Sequence, residues 1–446
     1  MLTLHDTELT PRARRILDCV DLERGLVPLS IYNNPDVYQL ELRRVFARSW
    51  VFLAHETEIP NPGDYVLRYI GEDPFIVVRD YAGQVHALFD SCRHRGTQLC
   101  RADRGNTAEF RCPYHGWTYR NDGQLTAVPN KDAAYPGMDE TDWGLLQVPH
   151  LATYRGLIFA SADPNAPSLD EHLGDFKWYL DLNLGLDEEG MEVLGQPHRW
   201  RISADWKSGS ENFCGDGYHI QTLHRSLLET GLASPGPPGE SQHAHITGCN
   251  GHAMAIRRTN LESTFFWGYP KDLVDGFTGP DLTRAQLEVA KHSMIHTGLV
   301  FPNLGFLHAI STNDPKRQPI SLLVMFQFQP KGPGAIEAWS WTLVPKRASQ
   351  SHKERAYQVV VATHSPAGAF EQDDVVVWEA IARPARSVFA ETAGVQLNFQ
   401  MGLQSVSQAK PILDWPGPGI AYDTYLEEGI QRTFLQRWLL EVSRPA

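Results

Sequence analysis

Long hydrophobic runs are missing from this sequence. A transmembrane helix needs about 18 or more consecutive apolar residues, whereas runs such as Leu322–Phe326 have only the length of a strand. The first residues, MLTLHDTELTPRARR, contain no apolar stretch between a basic segment and a small-residue cleavage site, as a secretory signal peptide does. We therefore expect a cytoplasmic protein without a membrane segment.

Cysteine and basic charge are also scarce. Six cysteines in 446 residues are too few for a disulfide-stapled scaffold. Lys and Arg total 40 against 53 Asp and Glu, and the resulting net charge of −13 disfavours nucleic acid as a partner. An apolar fraction of 42% with 21% charged residues excludes a disordered chain. The sequence does contain 18 histidines, and histidine is the commonest metal ligand among the side chains.

The chain divides into regions of different texture, and its length fits two or three domains. Residues 1–48 have apolar positions at helical spacing, whereas 50–160 consist of short β-branched and aromatic runs between turn residues, which predicts an all-β domain. Prolines and polar residues in 161–176 indicate a domain boundary. Beyond it we predict helices at 168–183, 211–229, 283–295, 351–365 and 425–442, strands at 305–311, 321–330 and 335–345, and a loop at 233–242.

A first metal motif lies in the β region. Cys92-x-His94 and Cys112-x-x-His115 each supply one thiolate and one imidazole from a short loop, and a glycine follows each pair. A structural zinc site also accepts two cysteines and two histidines, but zinc motifs usually keep the cysteines together and the histidines together. One of each on both loops is typical of a Rieske [2Fe–2S] centre, in which cysteines hold one iron and histidines the other. We therefore favour a Rieske centre over zinc.

A second group of metal-ligating residue types lies in the C-terminal part. His219 and His224 are five residues apart, a step of about 140° on a regular helix, so both rings meet one metal only if the helix is broken or widened. Asp216 precedes His219 by three residues and shares its helix face. Downstream, FEQDD at 370–374 supplies carboxylates, and two histidines with one carboxylate form the facial triad of non-haem Fe(II) oxygenases. Taken singly, such residues also occur as core histidines and as acidic clusters at helix starts.

Together these motifs resemble the α subunits of the Rieske non-haem iron aromatic ring-hydroxylating dioxygenases, the group that includes naphthalene and biphenyl dioxygenases. The resemblance covers nearly the whole chain through C-x-H-x17-C-x-x-H, N-F-x-G-D-x-Y-H-x4-H and F-E-Q-D-D. The Rieske ligands that it implies are Cys92, His94, Cys112 and His115, and the mononuclear iron ligands are His219, His224 and Asp374, with Asp373 as the fallback. It also implies that Asp216 bridges His115 of one subunit to His219 of the next, and that Asn212 lies near the iron.

The resemblance implies an α+β fold, in which a Rieske all-β iron–sulfur domain is inserted into a catalytic domain with an antiparallel β-sheet flanked by helices. The corresponding bounds are 1–39 for the N-terminal helical part of the catalytic domain, 40–166 for the Rieske domain and 167–446 for the catalytic mononuclear iron domain. A trimer of α subunits, or a hexamer with three small β subunits, is implied as well.

The implied activity is that of a terminal oxygenase in the catabolism of aromatic hydrocarbons. Electrons from NADH arrive through a ferredoxin reductase and a ferredoxin, and dioxygen is used to cis-dihydroxylate an aromatic ring. The chain has no G-x-G-x-x-G motif of its own, in agreement with a separate reductase. Because ferredoxins are usually acidic, docking needs a basic patch near the Rieske loops. The candidate residues for this patch are Arg93, Arg95, Arg101, Arg104 and Arg111.

The substrate pocket is predicted from residues that flank the proposed iron ligands. Most of them are apolar, and His364 stands where the naphthalene and biphenyl enzymes usually carry an aromatic residue. The candidates are Phe213, Leu223, Leu227, His364 and Phe370. An apolar set of this kind favours a neutral mono- or polycyclic aromatic, a biaryl or a heterocycle.

Alternative functions remain open at the level of the sequence. An aromatic carboxylate such as phthalate or salicylate would need an arginine clamp. Arg257 and Arg258 are the nearest arginines in the sequence. Because arginine side chains are mostly exposed, we favour the interpretation of these two as a surface pair. A Rieske electron-transfer protein would leave 167–446 without a role. A structural zinc protein would be colourless, so an absorption spectrum and an iron count separate these classes.

Overall fold

The computed structural model describes residues 9–232, 241–403 and 409–444. The chain separates into two compact units, a smaller unit of Phe46–Leu169 and a larger unit of Met1–Val45 with Asp170–Ala446. The smaller unit is thus inserted into the chain of the larger one. Of the predicted loop 233–242, residues 233–240 lie outside the described residues, and the strand Ser241–Cys249 begins directly after them.

Short antiparallel strands build the smaller unit. Val, Ile, Phe and Tyr recur between turn residues throughout this region, a composition that suits a pleated sheet. The strands are Val51–His55, Asp64–Ile70, Asp73–Arg79, Val85–Phe89, Arg104–Asn106, Glu109–Arg111, Thr118–Arg120, Leu125–Ala127, His150–Tyr154 and Leu157–Ser161. They form one four-stranded and two three-stranded sheets. The β character predicted for 50–160 is confirmed, apart from the short helices Lys131–Ala134 and Glu140–Trp143.

The hydrophobic core of the smaller unit lies beneath the loops that carry the cysteine–histidine pairs. Ile76 and Val78 from the four-stranded sheet pack in one cluster with Trp117, and all three are buried. Cys92 and Cys112 belong to the same cluster and are 2% and 3% exposed. The candidate ligands are therefore anchored on packed sheet rather than on loose surface loops.

The larger unit is built on an eight-stranded antiparallel sheet. In spatial order its strands are Met191–Ile202, Ile336–Pro345, Ile320–Pro330, Leu304–Ser311, Ser293–Val300, His252–Thr259, Ser241–Cys249 and Ile420–Tyr422. Every residue of Ile320–Pro330 and Ile336–Pro345 is buried, in agreement with the nearly continuous apolar runs in their sequences. A separate pair joins Leu26–Pro28 to Gln396–Asn398.

Most of the helices belong to the larger unit, and Lys131–Ala134 belongs to the smaller one. The α-helices are Pro11–Asp18, Pro35–Leu40, Lys131–Ala134, Leu169–Leu173, Lys177–Leu184, Trp206–Phe213, Ile220–Leu223, Arg225–Thr230, Lys271–Val274, Arg284–Lys291, Gln350–Thr363, Ala369–Ala385, Val388–Ala393 and Gly429–Ser443, and Glu41–Phe46 is a wider π-helix. The predicted α+β class, with an inserted β domain and a helix-flanked antiparallel sheet, is confirmed. Of the helices that the structure describes, none combines the length and the apolar character needed to cross a bilayer.

Three predicted helices need correction. The helix predicted over 168–183 is divided into Leu169–Leu173 and Lys177–Leu184, and Gly174 between them has a φ of +48°. The sequence predicts one helix over 211–229, but the structure contains Trp206–Phe213, Ile220–Leu223 and Arg225–Thr230. The interruption includes Gly215, whose φ of +117° is outside the helical range and is accessible to glycine. The helix predicted over 283–295 ends at Lys291, and the residues after it join the sheet as Ser293–Val300.

A buried charged cluster holds the helix Trp206–Phe213 in place. The Nζ of Lys207 lies 2.5 Å from Glu41 Oε1 and 2.7 Å from Asp205 Oδ1, and the Lys207 side chain is fully buried. The indole N–H groups of Trp206 and Trp438 donate to the same Glu41 carboxylate at 3.0 and 2.8 Å. These contacts fix the start of the segment that leads to the candidate iron ligands.

Candidate functional site

Two loops of the smaller unit carry the predicted cluster ligands, and they fold alike. The backbone N–H of Gly96 donates to the carbonyl of Cys92 at 2.8 Å, and the N–H of Gly116 donates to the carbonyl of Cys112 at 3.0 Å. Both glycines have a φ of +76°, a left-handed conformation that glycine adopts at little cost. Each loop therefore reverses direction directly after its histidine.

The two histidine rings of these loops lie side by side. The ring centroids of His94 and His115 are 4.4 Å apart. The Nδ1 atom of each ring is buried without a hydrogen-bond partner among the described residues, whereas Nε2 of His94 is 3.1 Å from the Tyr135 hydroxyl. Buried polar atoms without a partner are unusual and costly. A metal bound at both Nδ1 atoms would satisfy them.

The cysteines add two buried sulfur ligands to these nitrogens. Burial raises the pKa of Cys92, the Tyr119 hydroxyl at 3.3 Å from its sulfur lowers it, and the nearby Cys112 raises it. A coordinated cation reverses this situation, because it deprotonates a thiol outright. Two sulfurs and two imidazole nitrogens from paired loops fit a Rieske [2Fe–2S] cluster.

In the larger unit, His219 and His224 occupy the two ends of a four-residue helix, Ile220–Leu223. The break that their five-residue spacing requires is present, since His219 precedes the short helix and His224 follows it. As a result the Nε2 atoms of the two rings lie 3.2 Å apart.

Asp374 joins these histidines from the helix Ala369–Ala385. Its Oδ1 lies 3.7 Å from Nε2 of His219 and 3.5 Å from Nε2 of His224, and the three ligand atoms all lie within 4.8 Å of one another. This oxygen is buried without a hydrogen-bond partner among the residues described. A cation between the three atoms would relieve the cost of burying them together. The donor set fits one iron of the facial-triad type.

Two further carboxylates lie against the outer nitrogens of the same rings. Asp216 Oδ2 is 3.2 Å from Nδ1 of His219, and Asp373 Oδ2 is 3.1 Å from Nδ1 of His224. Carboxylates in this position fix the orientation of the ring and keep a proton on Nδ1, which leaves Nε2 for a metal. The structure thus separates the two neighbouring aspartates, because Asp374 faces the inner nitrogens and Asp373 an outer one.

Burial dominates the electrostatics of this group. It raises the pKa of Asp374 to about 7, and the charge of His219 offsets part of this increase. Burial lowers the pKa of His224, and the hydrogen bond to Asp373 offsets only part of the change. Burial also acts to lower the pKa of His219, but the contact with Asp216 outweighs it and the pKa is raised. A bound divalent cation would favour neutral imidazoles and an ionised Asp374.

A row of aromatic rings continues from His224. The ring centroid of Phe370 is 5.0 Å from that of His224, and His364 stacks on Phe370 at 5.1 Å. His364 is 6.4 Å from Phe326, which in turn is 4.7 Å from Phe213. Burial lowers the pKa of His364 to about 3, so its ring is neutral. The structure therefore connects three predicted substrate residues with a candidate iron ligand.

The remaining predicted residues divide between a cavity and the core. Asn212 and Leu223 line a cavity of about 150 Å³ together with His219 and Asp374. Leu227 is 6% exposed and belongs to the buried face of Arg225–Thr230. Asn212 is thus close to the candidate iron ligands, whereas Leu227 contributes packing.

A second cavity, of about 160 Å³, adjoins the same segment, since Asp216 lines both cavities. Ile220 and Leu228 form one wall, and the opposite wall comes from the strands Ser241–Cys249, His252–Thr259 and Ser293–Val300. Apart from Arg257, the sequence analysis missed these strand residues, because they are distant from the histidine motif along the chain. The signal that could have identified these strands is the alternation of apolar and polar residues with a period of two. Additional polar residues interrupt this alternation.

Arg257 lines this second cavity and is half-buried. The interpretation of Arg257 and Arg258 as a surface pair is therefore wrong, since both side chains are half-buried. Adjacent strand residues point to opposite faces of a sheet, and the Arg258 guanidinium lies 5.9 Å from the ring centroid of Trp415 instead. Burial lowers the pKa of Arg257.

Glu211, which the sequence analysis did not single out, is buried beside this site. The Tyr32 hydroxyl donates to both of its oxygens at 2.6 and 2.7 Å, yet burial raises the pKa of Glu211 to about 8.

A carboxyl group whose pKa is raised in the folded state stabilises the fold at low pH, and this stabilisation is lost as the pH rises through the folded-state pKa. We expect the thermal midpoint of the wild type to fall between pH 5.5 and 8.5 by at least about 2 °C more than that of Glu211→Gln.

The control for this prediction is Glu262→Gln, which removes an exposed carboxylate from the same unit. Differential scanning fluorimetry at both pH values should show the wild-type dependence in the control. Equal pH dependence in the wild type and Glu211→Gln would contradict the assignment of a neutral Glu211.

Two family models match the chain. The Rieske [2Fe-2S] domain matches residues 49–154, and the catalytic domain of the ring hydroxylating alpha subunit matches residues 178–438. The first match contains both cysteine–histidine loops, and the second contains the two histidines and Asp374.

Similar proteins extend over nearly the full length. The chain is 36% identical to the biphenyl 2,3-dioxygenase subunit alpha of Rhodococcus jostii, over 96% of this chain and 92% of that protein. It is 35% identical to the N,N-dimethyl phenylurea N-demethylase subunit alpha of Sphingobium sp., over 94% and 92%. The structure of naphthalene 1,2-dioxygenase from Rhodococcus sp. bound to indole matches with a TM-score of 0.92, 41% identity and coverage of 97% and 99%. The chain therefore belongs to the α subunits of the Rieske-type ring-hydroxylating dioxygenases, oxidoreductases that act on aromatic compounds and carry a Rieske [2Fe–2S] cluster and a mononuclear non-haem iron.

Proposed function

We propose that this chain is the terminal oxygenase component that cis-dihydroxylates an aromatic ring, with electrons delivered from NADH through a ferredoxin reductase and a ferredoxin. The observation that carries the proposal is the group of His219, His224 and Asp374, whose ligand atoms lie within 4.8 Å of one another beside a cavity. A facial triad leaves coordination positions open for dioxygen.

In this proposal each metal group has its own residues. Cys92, His94, Cys112 and His115 hold the cluster, and His219, His224 and Asp374 hold the iron, with Asn212 close by. When bound, the cluster supplies electrons and the iron activates dioxygen. The chain itself positions these ligands. Asp216 and Asp373 hold protons on the outer ring nitrogens, and the aromatic row from Phe370 to Phe213 excludes water from one side of the site.

We assign the domains as predicted, with 40–166 as the Rieske domain and 1–39 with 167–446 as the catalytic domain. The assembly is proposed to be a trimer, or a hexamer with small β subunits, in which Asp216 bridges His219 to His115 of a neighbouring subunit. Exposed arginines support ferredoxin docking at the Rieske loops. Arg95, Arg101, Arg104 and Arg111 are exposed, and Arg93 is partly buried.

The test is turnover by the purified protein with NADH, a ferredoxin reductase and a ferredoxin on a panel of aromatics under ¹⁸O₂. The proposal expects a dihydrodiol that contains two labelled oxygen atoms, and no product without ferredoxin. Monohydroxylated product with a single label from every substrate would contradict cis-dihydroxylation.

A second candidate activity, oxidative N-demethylation, is favoured by the similarity to the phenylurea N-demethylase subunit. Removal of an N-methyl group by oxidation releases formaldehyde and leaves the ring intact. Formaldehyde assays with N-methylated anilines and phenylureas in the same panel separate the two activities.

Asp216→Asn tests the bridging role. Asparagine keeps the size of the side chain but loses the negative charge that holds a proton on Nδ1 of His219. We expect product formation to fall by about 10- to 100-fold, as for other outer-shell partners of metal ligands, with both metal groups retained. The readout specific to bridging is the rate at which pre-reduced protein loses its reduced-cluster absorption after substrate and dioxygen are added.

Asp272→Asn provides the matched control, because it removes an exposed carboxylate from the short helix Lys271–Val274. It should match the wild type in both measurements. Unchanged cluster reoxidation in Asp216→Asn, with both metals bound, would show that Asp216 is not part of the electron route.

A further inference from the structure

The two cavities of the larger unit differ in their relation to the candidate iron ligands. The second cavity has none of the three ligands in its lining, whereas the cavity of about 150 Å³ includes His219 and Asp374. Besides Asp374, four carboxyl side chains line the latter, from Glu211, Asp216, Glu427 and Glu428. This polar cavity, as it is called below, therefore brings acidic groups next to the iron ligands.

The polar cavity has the size and the lining to hold water. A water molecule occupies about 30 Å³ in the liquid and needs two to four polar partners when it is buried. A cavity of about 150 Å³ has room for several such molecules, and its carboxyl groups supply partners. Tyr218 and Val377 also line it and are 61% and 37% exposed, so the cavity reaches the surface of the larger unit. Water in it can exchange protons with the solvent.

The aromatic row that continues from His224 offers no comparable route for protons. Its phenylalanine rings carry no exchangeable proton. Burial lowers the pKa of His364 to about 3, so its ring does not take up a second proton near pH 7. Nδ1 of His364 lies 2.7 Å from the Thr363 hydroxyl, which itself donates to the carbonyl of Val359 at 2.7 Å. The proton of the neutral ring is thus held on Nδ1 by Thr363.

Three of the carboxyl groups in the polar cavity are held by other partners. Burial acts to raise the pKa of Asp216, but the hydrogen bond to His219 outweighs it and the pKa is lowered, so Asp216 is ionised. Glu427 lies 3.2 Å from the guanidinium of Arg432. Glu428 accepts a backbone N–H at 2.9 Å, a contact that favours the ionised carboxylate. The fourth group, Glu211, is the one that belongs to the helix leading to the iron ligands.

Glu211 directly precedes Asn212, and both line the polar cavity. Burial raises the pKa of Glu211 to about 8, although the hydrogen bond from Tyr32 and the charge of Lys207 lower it in part. The carboxyl group therefore carries a proton at pH 7, and the Tyr32 hydroxyl fixes its position. The titratable and charged groups nearest to it are Tyr32, Lys207, Asp205, Cys214 and Asp216.

We propose that Glu211 supplies protons, through water in the polar cavity, to the two oxygen atoms that enter the product. Each cis-dihydroxylation takes up one dioxygen molecule, two electrons from the ferredoxin and two protons. The O–O bond breaks, two C–O bonds form, and each oxygen atom ends as a hydroxyl group. Glu211 gives up a proton and regains one from the cavity water, so it is unchanged after turnover. This role rests on the proposed oxygenase function and adds the path of its protons.

The first test is the pH profile of product formation by Glu211→Gln with the complete electron-transfer chain. Glutamine keeps the shape of the side chain but has no acidic proton, so we expect a loss of about 100-fold or more with both metal groups retained. Wild-type activity should fall above about pH 8 as Glu211 loses its proton, and Glu211→Gln should lack this fall. Glu211→Asp keeps an acidic group and should recover at least about a tenth of the wild-type rate.

The second test needs no turnover. Infrared spectra of the metal-loaded resting protein, recorded in H₂O and D₂O between about pH 6 and pH 9, reveal the carbonyl band of a protonated carboxyl group. Subtraction of the Glu211→Gln spectrum should isolate one such band, which disappears as the pH rises through about 8. Glu262→Gln, which removes an exposed carboxylate from the same unit, is the matched control and should keep both the band and the activity.

Three outcomes would overturn the role of Glu211. They are a wild-type rate in Glu211→Gln, a reduced rate that keeps the wild-type fall above pH 8, and the absence of the Glu211 band from the wild-type protein at pH 7. In each of them product formation by the wild type leaves the proposed function intact. Metal-loaded wild-type protein that oxidises no aromatic in the panel would count against the proposed function itself, and the proton supply would fall with it.

Discussion

Asp374→Ala is expected to remove the mononuclear iron and to abolish oxygenation while leaving the Rieske cluster in place. Asp374 is the carboxylate whose oxygen faces both inner histidine nitrogens, at 3.5 and 3.7 Å. Outer-shell changes alone cost about 10- to 100-fold, so loss of a direct ligand should lower product formation by at least about 1,000-fold. Iron analysis should fall from about three to about two atoms per chain, with the absorption of the cluster unchanged.

Asp373→Asn is the control, because Asp373 contacts only the outer nitrogen of His224 among the ligand rings. It should keep its mononuclear iron and lose activity less severely than Asp374→Ala. Full iron occupancy in Asp374→Ala, combined with iron loss in Asp373→Asn, would move the ligand assignment to Asp373.

Lys207→Met should produce the largest loss of stability in the larger unit. Methionine preserves the length of the side chain but leaves the carboxylates of Glu41 and Asp205 buried without their shared ammonium group. Breaking a buried ion pair by removing one partner costs about 3–5 kcal/mol of unfolding free energy. Thermal unfolding followed by tryptophan fluorescence should show the midpoint fall by more than about 6 °C.

Lys271→Met makes the same chemical change in an exposed pair with Asp275, where the lysine side chain is 85% exposed. An exposed pair one helical turn apart contributes only about 0.3–0.5 kcal/mol, so the midpoint should hardly move. Equal and small effects of both substitutions would show that the buried cluster does not stabilise the fold.

The sequence predicts best those elements whose residues face apolar surroundings on every side. The strands predicted at 321–330 and 335–345 correspond to Ile320–Pro330 and Ile336–Pro345, which are buried throughout. Ser241–Cys249 and His252–Thr259 were missed, because histidines and arginines interrupt their apolar pattern. Several of those polar residues line the second cavity. Prediction of strands from their apolar pattern therefore fails where the sheet borders a cavity and its strands carry polar residues.

Some residues of the candidate site could be identified from the sequence, whereas the place of others depends on the fold. Metal-ligating residue types are concentrated in short motifs, so His219, His224 and the FEQDD segment were identified without structural information. The choice between Asp373 and Asp374 depends on orientation, since neighbours on a helix point about 100° apart. Arg257 was considered only for its proximity in sequence, and its place in the cavity follows from strand pairing that no local pattern reveals.

The short helix Ile220–Leu223 has a consequence for how this scaffold changes over evolution. One residue inserted into it would rotate His224 by about 100° relative to His219, so the metal centre does not tolerate changes in length there. The far wall of the second cavity belongs to the sheet, where Ala255, Ile295 and Thr297 contribute side chains and no iron ligand. A duplicated gene could therefore acquire a new substrate through point substitutions on the strands while inheriting its iron centre unaltered.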